Sequence, residues 1–182
     1  MRPDARWTKL SAKATDILDA AEKRLRSAGY NGFSFRDLAS DVGIKSASVH
    51  HHFPTKDALV TTLSERYADR FIDTLVNAPS GLARITAYRD AFRQALGEDC
   101  GFCLCGMLGA ESGSLPDVVR QSNRTTFERM IDDLAQGLTG AVQEPRRIAL
   151  TVIAQLEGAM ILARAYDDPA MFDQATATLP AT

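Results

Sequence analysis

All three histidines of the chain stand in a row, as His50, His51 and His52, inside the run VHHHFPTKDAL. Imidazoles ligate metals, move protons and donate hydrogen bonds to anions. Consecutive residues on a helix point about 100° apart, so three in a row cannot share one ion. Zinc pairs on a helix want i, i+4 spacing or similar, and no tetrahedral ligand set lies nearby in sequence. No nucleophile motif stands beside them for catalysis. No metal and no cofactor is therefore expected, and two readings are left: hydrogen bonding to an anionic partner, or packing for His52, which precedes the apolar Phe53.

A second cluster is Cys100, Cys103 and Cys105, in EDCGFCLCGM. An odd, clustered set argues against a disulfide framework and for a reduced, cytoplasmic setting. Cys103 is predicted at the start of a short helix, where the dipole and free N–H groups favour the thiolate and mark a sensor of electrophiles or oxidants. A small apolar helix also uses cysteine simply to pack. Metal binding is the third reading, but C-x-x-C-x-C lacks a second ligand pair. Cys103 and Cys105 lie about 200° apart on a helix and cannot bond to each other, whereas Cys100 can reach Cys103 or a dimer mate.

The elements that must position these groups read as helices almost throughout, and no stretch alternates with period two. Ala14, Ile17, Leu18, Ala21, Leu25 and Ala28 form one stripe, closed by Gly29. Ser34 precedes FRDLASDV, with Asp37 three residues on, in the manner of a capping box. Gly43 ends that second helix after Val42. A third begins near Lys45 or Ser46 and must stop at Pro54, because the residue before proline disfavours helix. Thr55 can cap a fourth, from Lys56 to about Val76, and Asn77, Pro79, Ser80 and Gly81 then break the chain. Two short helices around Gly43, with Ala39, Val42, Ile44 and Val49 placed to pack together, make a helix-turn-helix pattern. In that pattern the second helix enters the major groove, and the small residues Ser46, Ala47 and Ser48 allow close approach to base edges.

Charge agrees with a DNA-facing N-terminus. The 182 residues carry a net charge of −2, but residues 1–60 sum to +3 and the remainder to −5. A basic head on an acidic body suits a polyanion partner for the head alone. No run approaches the roughly 18 consecutive apolar residues of a membrane span, and MRPDARWTKLSAK lacks the apolar stretch of a signal peptide. No membrane role is expected.

The run FSFRDLASDVGIKSASVHHHFPTKDAL resembles the N-terminal signature of the TetR family of transcriptional repressors. It supplies Ser34, Arg36, Leu38, Ala39, Gly43, Ile44, His52, Phe53 and Lys56 in that signature's register, and Ile17 to Ala21 resembles the family's first helix. The resemblance implies that Arg36 contacts the backbone or a base, that Ser46, Ala47, Ser48 and His51 face bases, and that His50, His52 and Lys56 hold phosphates. Lys45 is counted among the DNA-binding residues, although the family usually has a capping Ser or Thr there. His50 stands where the family usually has a phosphate-binding Tyr.

Beyond residue 77 helices are predicted over Leu82 to Leu96, within CLCGMLGAES, from Asp117 to Leu138, from Arg146 to Ala165, and after Pro169. The run GFCLCGMLGAESGSLPD is similar to a G-C-L-x-x-x-L-x-x-E segment of some TetR-like regulators, with Cys103 at the cysteine, Glu111 at the acid and Phe102 replacing a Gly. The resemblance implies an effector or thiol-sensing region that includes Cys100, Cys103, Cys105, Met107 and Glu111. The segment IALTVIAQLEGAMILARAYDDP is apolar nearly all round and must be buried on more than one face. Small Ala154, Gly158 and Ala159 would admit a partner helix, with Ile161 and Leu162 beside them. Either it forms a dimer interface, as the family implies, or it is a central core helix.

The expected protein is all-α: an N-terminal three-helix helix-turn-helix DNA-binding domain, 1–56, and a C-terminal helical ligand-binding and dimerisation domain, 57–182. Its expected function is that of a homodimeric repressor, not an enzyme, released from a palindromic operator by a small molecule or thiol-reactive effector. A helical ligand carrier or enzyme with no DNA role is the rival class, and a DNA-binding structural protein without an effector is a third.

Overall fold

Serine 11 opens the first helix: its side chain accepts from the Ala14 N–H at 3.1 Å, in the manner of an N-cap. In the computed structural model, which describes residues 7, 9–97 and 101–180, this helix is α1, Ala12–Ala28. It is followed by α2 (Phe35–Val42), α3 (Ser46–His52), α4 (Lys56–Thr74), α5 (Ala83–Leu96), α6 (Leu104–Ala110), α7 (Asp117–Leu138), α8 (Pro145–Tyr166) and α9 (Ala170–Thr176). Among the described residues there is no strand. The all-α expectation and each of its helices are present. The last turn of α4 ends two residues early, where Leu75 and Val76 donate to Ile72 and Asp73, three residues back.

The chain divides into two compact units, Met1–Arg70 with Leu104–Thr126, and Phe71–Cys103 with Phe127–Thr182. In the first, Ile17, Leu18, Ala21 and Leu25 of α1 are buried, as are Leu38, Ala39, Val49, Phe53, Leu59, Val60 and Leu63. With Ala14 this is the stripe expected of α1, except that its last residue, Ala28, is exposed at the helix end; apolar residues from α2 to α4 extend it. Arg66, only 4% exposed, is paired in that interior with Asp19 at 2.6 Å and Glu22 at 3.5 Å. A buried guanidinium needs such partners, because desolvation of an unpaired charge costs several kcal/mol.

The second unit buries Ile85, Tyr88, Phe92 and Leu96 of α5, with Met130, Leu134 and Leu138 of α7 and Phe172 of α9. Arg84 Nη2 donates to both carboxylate oxygens of Asp133, at 2.9 and 2.7 Å, and Nη1 donates to the Leu75 carbonyl at 2.7 Å. The Tyr88 hydroxyl stands 2.6 Å from the same carboxylate, and burial raises its pKa well above the ordinary phenol range. Gly137 leaves room for the arginine: a Cβ there would press on Arg84 Cγ. By length and composition α8 is apolar enough to cross a membrane, with a mean hydropathy of 1.5. Its face of Ala149, Val152, Ile153, Leu156, Ala159, Met160 and Ala163 is instead buried in the unit's core. Ala159 therefore packs inward and does not join a partner-facing stripe. Leu150, Ala154, Ile161 and Leu162 remain exposed, and Gly158 is half-buried.

Candidate nucleic-acid interface

The reading helices are fixed by their ends. Ser34 and Asp37 form the complete capping box at the start of α2, with the Ser34 N–H donating to Asp37 at 2.7 Å. Those bonds from Ser34 hold the Asp37 carboxyl below its usual pKa. Gly43 sits in the left-handed region at φ 67°, which a glycine reaches without strain, and Ile44 then donates to the Ala39 carbonyl at 2.9 Å. Gly43, Ile44 and Lys45 thus make the turn from α2 to α3. Val49, with no exposed surface, and Phe53 pin the inner side of α3. Lys45 occupies the N-cap position of α3 but makes no side-chain cap bond, as expected where a Ser or Thr is replaced. On the neighbouring surface Arg24 of α1 holds Asp41 of α2 through two bonds, at 2.5 and 2.8 Å. This pairing lowers the Asp41 pKa.

With Val49 turned in, the outer face of α3 is polar and small. Ala47, Ser48, His50 and His51 are exposed, together with Arg36 and Lys45, while Ser46 and His52 are half-buried. A groove of about 350 Å³ runs along this face, lined by Lys13, Ile44, Ala47, Ser48, His51 and His52. Of the residues expected to meet DNA, Ala47, Ser48, His51 and His52 share this groove. Lys13 was not foreseen. It lies on α1, more than thirty residues before α3, and only the packing of α1 on α3 brings it there. His50 stands edge-on to the Phe35 ring at 4.7 Å, and the His51 and His52 rings meet edge-to-face at 5.5 Å. The three rings diverge, as their consecutive spacing requires.

Lys56, expected at phosphate, has its amine engaged inside the head. It donates to the Phe33 carbonyl at 2.5 Å and lies over the rings of Phe33 and Tyr30, at 4.2 and 4.6 Å. Burial lowers its pKa, and Glu111, Asp37 and Asp57 oppose that shift.

The suspected sensing residues are spread differently. Cys100 lies outside the described residues. Cys103 immediately precedes α6 and is 2% exposed; Cys105 lies within α6 with no exposed surface, and its carbonyl accepts from Asn123 at 3.1 Å. Glu157 of α8, absent from the sequence reading, brings a carboxylate oxygen within 4.8 Å of the Cys103 sulfur. Met107 is half-buried. Glu111 is occupied by the head: its carboxylate accepts the Tyr30 N–H at 2.7 Å.

Known proteins are similar to this chain in sequence and in fold. Residues 17–63 match the family described as bacterial regulatory proteins, tetR family, and residues 82–178 match the C-terminal domain of LmrA/YxaF-like transcriptional regulators. A TetR transcriptional regulator from Legionella pneumophila is similar over 94% of this chain and 97% of its own, with a TM-score of 0.86 and 28% identity. A TetR-family regulator from Agrobacterium tumefaciens is 32% identical over 91% of this chain and 94% of its own, with a TM-score of 0.83. The repressor KstR2 of Rhodococcus jostii is 32% identical over 32% of this chain and 29% of its own length. The chain spans less than half the length of the curated relatives it matches.

Proposed function

The chain belongs to the TetR family of bacterial transcriptional regulators, and from that premise we propose that it is a repressor that binds a palindromic operator as a homodimer. A small molecule or thiol-reactive effector acting on the body, 57–182, shifts the spacing of two heads, 1–56, and releases the DNA. The observation that carries this reading is the outer face of α3, where Ala47, Ser48 and His51 stand exposed beside Arg36 and Lys45, on a helix anchored by Val49. In this role Ser46, Ala47, Ser48 and His51 meet base edges, and Arg36, Lys45, His50 and His52 meet the backbone.

Pairing supports the reading from the other end of the chain. A single helix-turn-helix covers one half-site, and paired half-sites about 34 Å apart need two heads. The exposed stripe of α8, Leu150, Ala154, Ile161 and Leu162 with Gly158 between them, suits a second copy. The role is a binding role in a reduced cytoplasm and involves no catalysis, cofactor or membrane.

The experiment is selection of duplexes from a random pool by the purified chain, followed by affinity measured against salt. The expected result is an enriched inverted repeat whose affinity falls steeply as salt rises. A chain that enriches nothing, and binds DNA with no salt dependence, is a carrier or enzyme and the proposal fails.

A further inference from the structure

We infer that Glu111 is a positioning residue for DNA reading, an internal tie through which the end of α6 holds the loop that leads into the helix-turn-helix. The inference rests on the DNA-binding role proposed above. It goes beyond that role by assigning Glu111 to the path between body and head rather than to effector contact.

Glu111 is itself held in place. Its N–H donates to the Met107 carbonyl at 3.2 Å in the last turn of α6, and its own carbonyl accepts from Ser114 N–H at 2.9 Å and Ser114 hydroxyl at 3.0 Å. From this fixed backbone the side chain reaches the end of α1, 81 residues earlier, and accepts the Tyr30 N–H at 2.7 Å. Gly29, at φ 76°, makes the approach possible, because a Cβ there would overlap the Glu111 carboxylate. This glycine thus closes α1 and also admits an acid to it.

Helix electrostatics alone do not put a carboxylate there. The C-terminal end of α1 carries partial negative charge, so an acid beside it is disfavoured unless a donor and a cation compensate. Both are present. Tyr30 N–H is the donor, and Lys56, whose charged form Glu111 favours, is the cation.

Tyr30 passes the tie onward. Its hydroxyl donates to Asp57 at 2.5 Å in the first turn of α4, and Lys56 lies 4.6 Å over its ring. The Lys56 amine donates to the carbonyl of Phe33, the residue before the Ser34 cap of α2. The loop 29–33, the only covalent link from α1 to the reading helices, is therefore gripped by α6 at one end and by α4 at the other. Displacing α6 withdraws the Tyr30 acceptor and loosens the loop that aims α2 and α3.

The test compares the full-length parent with Glu111→Ala, which removes the acceptor, and Glu111→Gln, which keeps an acceptor oxygen without charge. Amide hydrogen exchange reads the loop without DNA. Tyr30 in Glu111→Ala should exchange about tenfold faster or more, since the acceptor lost is a charged one, and Glu111→Gln should restore most of the protection. On a duplex selected by the parent, Glu111→Ala should bind roughly tenfold more weakly, because a loosened head must be ordered on binding. Its salt slope should equal the parent's, because Glu111 touches no phosphate. Unchanged exchange at Tyr30 in Glu111→Ala overturns the tie. Faster exchange with parental affinity overturns its role in DNA reading, and a lowered salt slope makes the effect one of contact and not of position. If the parent selects no duplex, the repressor reading fails and the DNA-positioning role fails with it, whereas the exchange measurement still decides the tie.

Discussion

Ile161→Asp tests the proposed dimer at its centre. On α8 the exposed apolar side chains are Leu150 at 48%, Ile161 at 54%, Leu162 at 41% and Tyr166 at 67%. Fully burying such a side chain is worth about 1.5–3 kcal/mol, so completing the burial of a half-exposed one is worth about 1 kcal/mol. Four side chains on each of two copies then contribute about 8 kcal/mol before the costs of association. The backbone at Gly158 has open space where a Cβ would stand, so a partner helix can come close and add contact area there.

In a twofold dimer every substitution counts twice. Ile161→Ala should cost about 2 kcal/mol and raise the dimer dissociation constant by roughly thirtyfold. Ile161→Asp adds two carboxylates that must lose water, at several kcal/mol each, and should raise it by about a thousandfold or more. Sedimentation over a concentration series measures both, with helical content recorded to show that each protomer stays folded. Because Ile161 is exposed in the protomer, its replacement leaves the core intact. Ile161→Asp should also lose the inverted-repeat preference at concentrations where the parent keeps it. A parent that sediments as a monomer, or an Ile161→Asp variant that dimerises as the parent does, would refute the assignment of this face.

Ser48→Arg should change which base pairs are preferred, measured by repeating the duplex selection; identical preferences in parent and variant mean that α3 does not read sequence. Lys56→Ala should lower the melting temperature and leave the salt slope of DNA binding at the parental value, because the amine is engaged with Phe33 and Tyr30; a slope lower by about one ion puts Lys56 on phosphate. Asp133→Ala should cost about 3 kcal/mol in denaturant unfolding, since Arg84 is left largely buried without its partner; a loss under about 1 kcal/mol means the pair is solvated in practice. Cys103→Ser should bind operator as the parent does and ignore a thiol reagent, and the parent's thiol should react more slowly than free cysteine because its site is closed. Release that persists in Cys103→Ser moves sensing to another residue.

The helices were legible because their ends are written in local chemistry. Ser34 with Asp37, Gly43 after Val42, and Pro54 after Phe53 each decide a boundary within three or four residues of themselves. The exposed face of α3 was legible for a related reason: once Val49 is the inward residue of α3, period 3.6 turns Ala47, Ser48 and His51 outward. The exposed side of α8, proposed above to meet a second copy, was only half legible. An all-round apolar helix has two buried sides, and nothing local says which belongs to the protomer's own core, so Ala159 was grouped with Gly158 although it packs inward.

What stayed hidden depends on long-range closure. Lys56 follows the motif as a phosphate-binding lysine should, yet its amine is captured by the Phe33 carbonyl and two aromatic rings, 23 residues upstream at the bond. Glu111 stands at the acid of a cysteine-containing segment, yet its partner is a backbone N–H at the end of α1. Both surprises fall on the same loop, 29–33, and that coincidence has a physical basis. A loop joining a packed helix to a reading head has orphan N–H and C=O groups at both ends, left by the close of α1 and the cap of α2. They must be satisfied by side chains from elsewhere in the chain when water cannot reach them. Lys56 supplies the donor and Glu111 the acceptor, so the requirement that every buried backbone group be paired also determines which distant elements can act on the head.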